Sequence, residues 1–431
     1  MSHAQAGLAA RQAALDILGE VLRKRRPLDA AQAQVLAGLD LPPRDAGFAR
    51  AIAAETLRRL GQLEALIRHF VPKAPPPHKA GPTLELLMAG ACELLFLNVP
   101  AHAAVDAANR LAAKDAKAKH FKPLINAVLR RVAREGQEVI AQQDAARLNT
   151  PDWLWPRWCE TYGEEITRAL TAAHLKPAPL DLMTKTPVAI EGAITLPGGV
   201  LRLHDASRID ALPGYAEGAW WVQDFAATLP ARLLGEARGA RVIDLCAAPG
   251  GKTAELVALG AQVTAVERDA ERMARLKKNL ARLHLEAECV EADLRDYVPE
   301  TSAPFVLLDA PCSATGTIRR HPELPWIKSA ADATQCADAA AELLDAAADM
   351  VTPGGTLVFA VCSLEAEEGP EQVAAFLARN DSFARVPVLP TDVFGMTELI
   401  NADGDLRTLP CHLADDGGMD GFYAARLKRL R

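Results

Sequence analysis

The chain has 431 residues, 50% of them hydrophobic and 24% charged, which excludes wholesale disorder and a fibrous chain and suits two or three folded domains. Its formal net charge of −7 hides an asymmetry: residues 1–140 carry 20 Lys and Arg against 13 Asp and Glu, leaving 28 against 42 for the rest. A basic module joined to an acidic one suits a polyanion partner such as nucleic acid, with ordinary helix surface as the competing explanation.

Ala9 to Leu22 has helical periodicity, and Arg11 and Asp16 interrupt the apolar core that a signal peptide would need. Phe48 to Leu66 repeats the pattern, and the prolines at 72 and 75–77 end it because proline has no N–H to donate. Leu84 to Asn98 reads as a central helix whose Glu85 and Glu93 argue against a membrane span. Ala103 to Ala116 and Phe121 to Arg134 follow. From Arg110 to Arg134 there are eight basic residues and one acid, Asp115. Residues 1–140 are therefore expected to form an all-α domain with a basic edge.

Residues 141–235 read as a small bridging subdomain, helical at first and strand-like after Pro177. Its Trp153, Trp155 and Trp158 are expected to pack between domains. From residue 236 to 431 strand and helix alternate, as in a parallel sheet covered by helices on both faces. Expected strands are Val242–Cys246, Val263–Glu267, Ala287–Val290, Phe305–Leu308, Thr356–Val361 and Tyr423–Leu427. Expected helices are Thr253–Leu259, Ala270–Leu283 and Ala333–Met350, the last closed by Pro353-Gly354-Gly355. The eight cysteines show neither CxxC nor zinc spacing, so no disulfide framework and no metal are expected, and a reducing cytoplasm is.

The segment Asp244 to Thr253 lies between the first strand and first helix of this region. Its glycines let backbone approach a ligand closely, yet it matches neither GxGxxG nor the P-loop spacing. Glu267, at the next strand end, can accept from the hydroxyls of a ribose. Asp293, after the third strand, can take an adenine amino group. Asp309-Ala310-Pro311-Cys312-Ser313 and Val361-Cys362-Ser363 each follow a strand that reads as buried. In a doubly wound sheet those two strands are neighbours, which brings both thiols to the carboxyl edge where ligands bind.

Two thiols, a carboxyl and a nucleoside cofactor fit one chemistry. A thiolate adding to carbon 6 of a pyrimidine makes carbon 5 nucleophilic toward a methyl sulfonium. Asp309, if protonated, can donate to N3, and the second thiol can serve release as a base.

These residues resemble the bacterial 16S ribosomal RNA cytosine-5 methyltransferases of the Sun/Fmu type, within the Nop2/Sun family. The specific pieces are Val222 to Ala227, Asp244 to Thr253, Leu308 to Trp326, Gly355 to Glu368 and Asp420 to Leu427. The N-terminal part resembles the antitermination factor NusB through Val99 to Val105 and Leu124 to Arg130. The resemblance implies an all-α NusB-like domain, a bridging subdomain and an α/β Rossmann-like, class I methyltransferase domain that uses S-adenosylmethionine. It makes Cys362 the nucleophile and Cys312 the releasing cysteine. It places the cofactor on Cys246, Ala247, Ala248, Pro249, Gly250, Gly251, Lys252, Glu267, Asp293 and Asp309. Glu267 stands where the family usually has Asp, and Val361 where it has Thr. Lys114, Lys117 and Lys119 are expected to meet RNA phosphates, and Arg319, Arg320 and His321 to hold the strand. The expected partner is 16S ribosomal RNA, bound by a monomer with no membrane association. The alternatives are methylation of transfer RNA or another RNA, and a non-catalytic RNA-binding or antitermination module.

Overall fold

The structure, a computed structural model, describes residues 3–73, 75–204 and 208–431. It divides into two units, one running to Leu175 and taking in Arg320–Ser329, the other holding Lys176–Arg319 and Ala330–Arg431.

The first unit is helical. Its main helices are α1 (His3–Lys24), α2 (Leu28–Ala37), α3 (Pro43–Arg58), α4 (Leu60–Phe70), α5 (Thr83–Leu95), α6 (Ala101–Lys114), α7 (Lys122–Ala141), α8 (Trp155–Tyr162) and α9 (Glu164–His174). The single helix expected over Phe48–Leu66 is two, because Arg59 leaves helical geometry at φ −107° and ψ 16°. Apolar stripes of α1, α3, α4, α5 and α7 close one core around Ile17, Leu18, Ile52, Leu63, Leu87 and Leu129. The two acids of α5 are paired inside it: Glu93 lies 2.6 Å from Arg11, and Glu85 lies 2.5 Å from Arg23. No helix of the described residues is long and apolar enough to cross a membrane.

The first unit extends to Leu175, beyond the residue 140 at which the helical domain is expected to end. Residues 141–175 stay with the helices because their polar groups are tied there. The Gln62 amide donates to Asn149 at 3.1 Å, and Arg59 donates to the Leu175 carbonyl at 2.9 Å. Trp153, Trp155 and Trp158 pack inside this unit. Trp158 is buried, Trp153 donates to the Pro325 carbonyl at 3.0 Å, and Trp155 lies under the guanidinium groups of Arg147 and Arg168. The segment 320–329 is held the same way: Trp326 donates to the Leu57 carbonyl at 2.9 Å, and Arg25 to that of Ile327 at 2.6 Å.

The second unit contains two sheets. The smaller, antiparallel throughout, comprises β1 (Leu180–Thr184), β2 (Ile194–Thr195), β3 (Leu201–Leu203) and β4 (Trp220–Val222), in the order β2-β3-β1-β4. A fully buried Arg202 on β3 grips Asp181 on β1 with two 2.7 Å bonds. After α10 (Phe225–Arg232) the main sheet begins. Its elements are β5 (Arg241–Leu245), α11 (Gly251–Ala258), β6 (Gln262–Glu267), α12 (Ala270–Leu283), β7 (Glu288–Glu291), β8 (Ala303–Asp309), α13 (Ala330–Asp349), β9 (Val351–Val361), α14 (Pro370–Arg379), β10 (Phe383–Arg385), β11 (Leu406–Thr408) and β12 (Phe422–Arg429).

The strand order is β10-β12-β9-β8-β5-β6-β7, with β11 paired to β12. Strands β5 to β9 are parallel and β12 runs antiparallel to β9. Successive residues face opposite layers: Ile243 and Leu245 pack with Leu344 and Ala347 of α13, whereas Val242 packs with Leu229 of α10 and Leu256 of α11. The order reverses between β5 and β8, and ligands of such sheets bind at that point, beyond the carboxyl ends of the strands. Pro353-Gly354-Gly355, expected in a turn, is drawn into β9 by a bulge between the pairs Ala303–Val351 and Phe305–Thr356.

Candidate active site

Five strand ends, those of β5 to β9, carry the candidate residues along the carboxyl edge of the sheet. After β5 the chain turns at Cys246 (φ 59°) and reaches Gly250, the residue before α11, at φ 100°. An L side chain is strained there, and its Cβ would also stand 3.1 Å from Leu276, so glycine keeps the loop open to a ligand's approach. Asp244 of β5 and Glu267 of β6 are buried, and their Oδ1 and Oε2 accept no hydrogen bond among the described residues. Glu267 Oε1 accepts from the Asp269 amide at 3.1 Å, and the Arg272 guanidinium is 3.3 Å from Oε2. Burial pushes the Asp244 carboxyl up to about 7. Buried acceptors without donors suit a ligand that brings hydroxyls, as adenosine does. Asp293, just past β7, is gripped by Arg295, whose hydrogen bonds hold its carboxyl at about 2. Burial lifts the Cys246 thiol to about 12, so it serves as packing rather than as a nucleophile.

The two thiols sit at the next pair of strand ends. Asp309 of β8 lies opposite Ala360 of β9, and the Ala310 amide donates to the Ala360 carbonyl at 2.8 Å. The loops beyond stay paired, the Gly316 amide donating to the Cys362 carbonyl at 3.0 Å. A Cβ on Gly316 would stand 1.9 Å from the Gly421 carbonyl oxygen, so only glycine fits. The result is Cys312 Sγ and Cys362 Sγ 3.5 Å apart. The contact with Cys362 and then burial push the Cys312 thiol well above its usual value.

Lys252, buried in the first turn of α11, donates to Asp309 Oδ2 at 2.7 Å and lies 5.0 Å from the centre of the Phe422 ring. Burial alone would lower the Lys252 ammonium, but the Asp309 carboxylate outweighs it and the net shift is upward. Asp309 is thus an acceptor in this structure.

One expected RNA contact needs correction. Arg319 is 1% exposed, bound 3.0 Å from Asp224, 3.5 Å from Asp420 and 2.6 Å from the Gly417 carbonyl. It is a structural ion-pair centre and cannot reach a strand of RNA from there. Arg320 is exposed and His321 partly so. Lys114, Lys117 and Lys119 are exposed. Sequence reasoning does not single out Phe422, at the start of β12, or Glu368, in the loop after β9: an aromatic or an acid at such a place carries no distinguishing pattern. No cluster of metal-binding side chains occurs among the described residues.

Glu267→Ala should weaken binding of S-adenosylmethionine by about 1.5–3 kcal/mol, the scale of hydrogen bonds to a charged acceptor. Calorimetry checks it, and an unchanged affinity would show that Glu267 does not hold the ribose.

Comparison with known proteins places these features. The family model described as 16S rRNA methyltransferase RsmB/F matches residues 231–428, and the NusB family model residues 8–134. Ribosomal RNA small subunit methyltransferase B of Pseudomonas putida is 36% identical, over 97% of this chain and 98% of its own. The protein of that name from Vibrio cholerae is 35% identical, over 93% of this chain and 92% of its own. Among solved structures, that of PH0851 matches 100% of both chains with a TM-score of 0.78 at 23% identity. A methyltransferase homologue from Pyrococcus horikoshii covers 64% of this chain and 94% of its own, with a TM-score of 0.53 at 23% identity. Both show the fold. Similarity to the curated relatives over nearly the whole length, with the family model spanning the two strand ends that carry the thiols, means that the chain belongs to the RsmB/F family of S-adenosylmethionine-dependent 16S rRNA methyltransferases.

Proposed function

We propose that the protein methylates carbon 5 of one cytosine in 16S ribosomal RNA through a covalent bond between Cys362 and carbon 6. The observation that carries this reading is the pair of thiols 3.5 Å apart at the ends of neighbouring strands. Cys246 to Lys252, Glu267 and Asp293 would hold the cofactor, which when bound supplies an electrophilic methyl group. The Cys362 thiolate adds to carbon 6, and the electron pair moves through the ring so that carbon 5 becomes the nucleophile. Asp309, if protonated, gives N3 a proton as charge builds there. After methylation Cys312, as thiolate, takes the proton on carbon 5, the freed electron pair forms the carbon 5–carbon 6 double bond and expels Cys362 as thiolate, and N3 returns its proton to Asp309. The base must be unpaired or flipped out to meet both sulfurs.

The protein acts as a monomer in the cytoplasm, where thiols are kept reduced. Lys114, Lys117 and Lys119 contact phosphates without reading bases. Replacing all three with Gln should weaken RNA binding and flatten the slope of log K against log salt by about 2, if each meets one phosphate of a single strand. An unchanged slope would return this face to ordinary helix surface.

The direct test of the reading is transfer of labelled methyl from S-adenosylmethionine to 16S ribosomal RNA, followed by digestion to nucleosides. Label in 5-methylcytidine supports it. Label in another nucleoside, or in transfer RNA alone, overturns it.

A further inference from the structure

We infer that Glu368 is the positioning residue that sets the spacing of the two thiols. This rests on the reading that Cys312 and Cys362 are the reacting pair. Each cysteine is followed by a serine, and both serines converge on one buried side chain. Glu368 Oε1 accepts from the Ser313 amide at 2.6 Å. Its Oε2 accepts from the Ser313 hydroxyl at 2.5 Å and from the Ser363 hydroxyl. The two hydroxyl oxygens are 3.3 Å apart, and Thr315 Oγ1 lies 3.2 Å from that of Ser363. Glu368 is 1% exposed, and its two oxygens are taken up by the two serines.

A carboxylate is costly to bury unless donors surround it, and three donors from two different loops do so here. Each of those loops is tied to a strand on one side, and Arg407 fixes the Ser363 carbonyl at 2.6 Å on the other. The Glu368 carboxylate therefore spans the gap between the residue after one thiol and the residue after the other. The two sulfurs must serve adjacent ring atoms, carbon 5 and carbon 6, in one bound base. Parting the loops moves one sulfur off its atom, and misplacement of that size reaches about 100-fold in rate.

Phenylarsine oxide reports the spacing directly, because it forms two arsenic–sulfur bonds with a close pair of thiols and releases its oxygen as water. The full-length wild type should bind one equivalent that is lost in Cys312→Ala and in Cys362→Ala. Glu368→Ala should weaken that binding about 10-fold or more while iodoacetamide still labels each thiol, since only the pre-organisation is lost. Its kcat should fall about 100-fold with little change in KM for RNA or S-adenosylmethionine. Glu368→Gln keeps the length, the acceptor for the Ser313 amide and a group to meet the hydroxyls, so it should restore most of both. Glu368→Asp is too short to span the loops and should not. Should Glu368→Ala not fold, the paired Ser313→Ala and Ser363→Ala substitutions provide the same measurement. Wild-type arsenical affinity and kcat in Glu368→Ala overturn the inference. So does an active Glu368→Asp beside an inactive Glu368→Gln, which would make the carboxylate a proton carrier. An RNA adduct that persists in Cys362→Ala overturns the underlying assignment of the thiols instead, and the arsenical result stands apart from it.

Discussion

Cys362→Ala should abolish both methyl transfer and any covalent complex with RNA, whereas Cys312→Ala should attack, methylate and then stall. The stalled species is a protein–RNA complex that survives denaturing electrophoresis. Two thiols 3.5 Å apart do not both ionise readily, because like charges at that distance repel, so one attacks while the other keeps its proton. With Cys362 as the attacking thiol and Cys312 as the releasing one, the two substitutions stop the reaction at different steps. Simple burial of two small side chains predicts modest stability losses in each variant and no trapped complex. The opposite assignment of roles predicts an adduct lost in Cys312→Ala and retained in Cys362→Ala. One gel with both variants, labelled RNA and S-adenosylmethionine separates the three outcomes.

Arg319→Ala should destabilise the catalytic unit by about 3–5 kcal/mol, because it removes a buried cation that two buried carboxylates face. Asp224 and Asp420 are both buried, and the Asp420 amide donates to Asp224 Oδ1 at 3.0 Å. Asp224 also caps α10 by accepting from the Ala226 amide at 2.9 Å. The Arg319 guanidinium binds together the start of α10, the loop after Cys312 and the turn before β12. Loss of this centre should lower Tm by about 10 °C for a unit of this size. RNA affinity of the protein that remains folded should be unchanged. A stable Arg319→Ala protein with weakened RNA binding would instead restore the reading of Arg319 as an RNA contact.

Arg319 shows where sequence reading stops. A pair of arginines after a reactive cysteine looks like a phosphate clamp, and nothing local reveals that the first meets acids 95 and 101 positions away. Glu368 is invisible for the same reason, since its partner Ser313 is 55 positions upstream. By contrast, the neighbouring positions of β8 and β9 were legible. Fully apolar strands alternating with amphipathic helices leave few arrangements for a parallel sheet. The residues just past such strands must then share one edge, which is where Asp309, Cys312 and Cys362 lie. A composition shift marks where strands begin to read, whereas α8 and α9 are ordinary helices whose attachment depends on Arg59, Gln62 and Asn149. The break at Arg59 was equally hidden, since apolar spacing runs through it unbroken.

The central claim is that this chain modifies one cytosine of 16S ribosomal RNA and that Cys362 performs the attack. Bisulfite sequencing of 16S ribosomal RNA tests it most directly, in a strain lacking the chain and in that strain complemented with wild type or with Cys362→Ala. One cytosine should resist conversion in the parent, convert in the deletion strain, and resist again only with the wild-type chain. A cytosine pattern unchanged by the deletion, or restored by Cys362→Ala, would contradict the account.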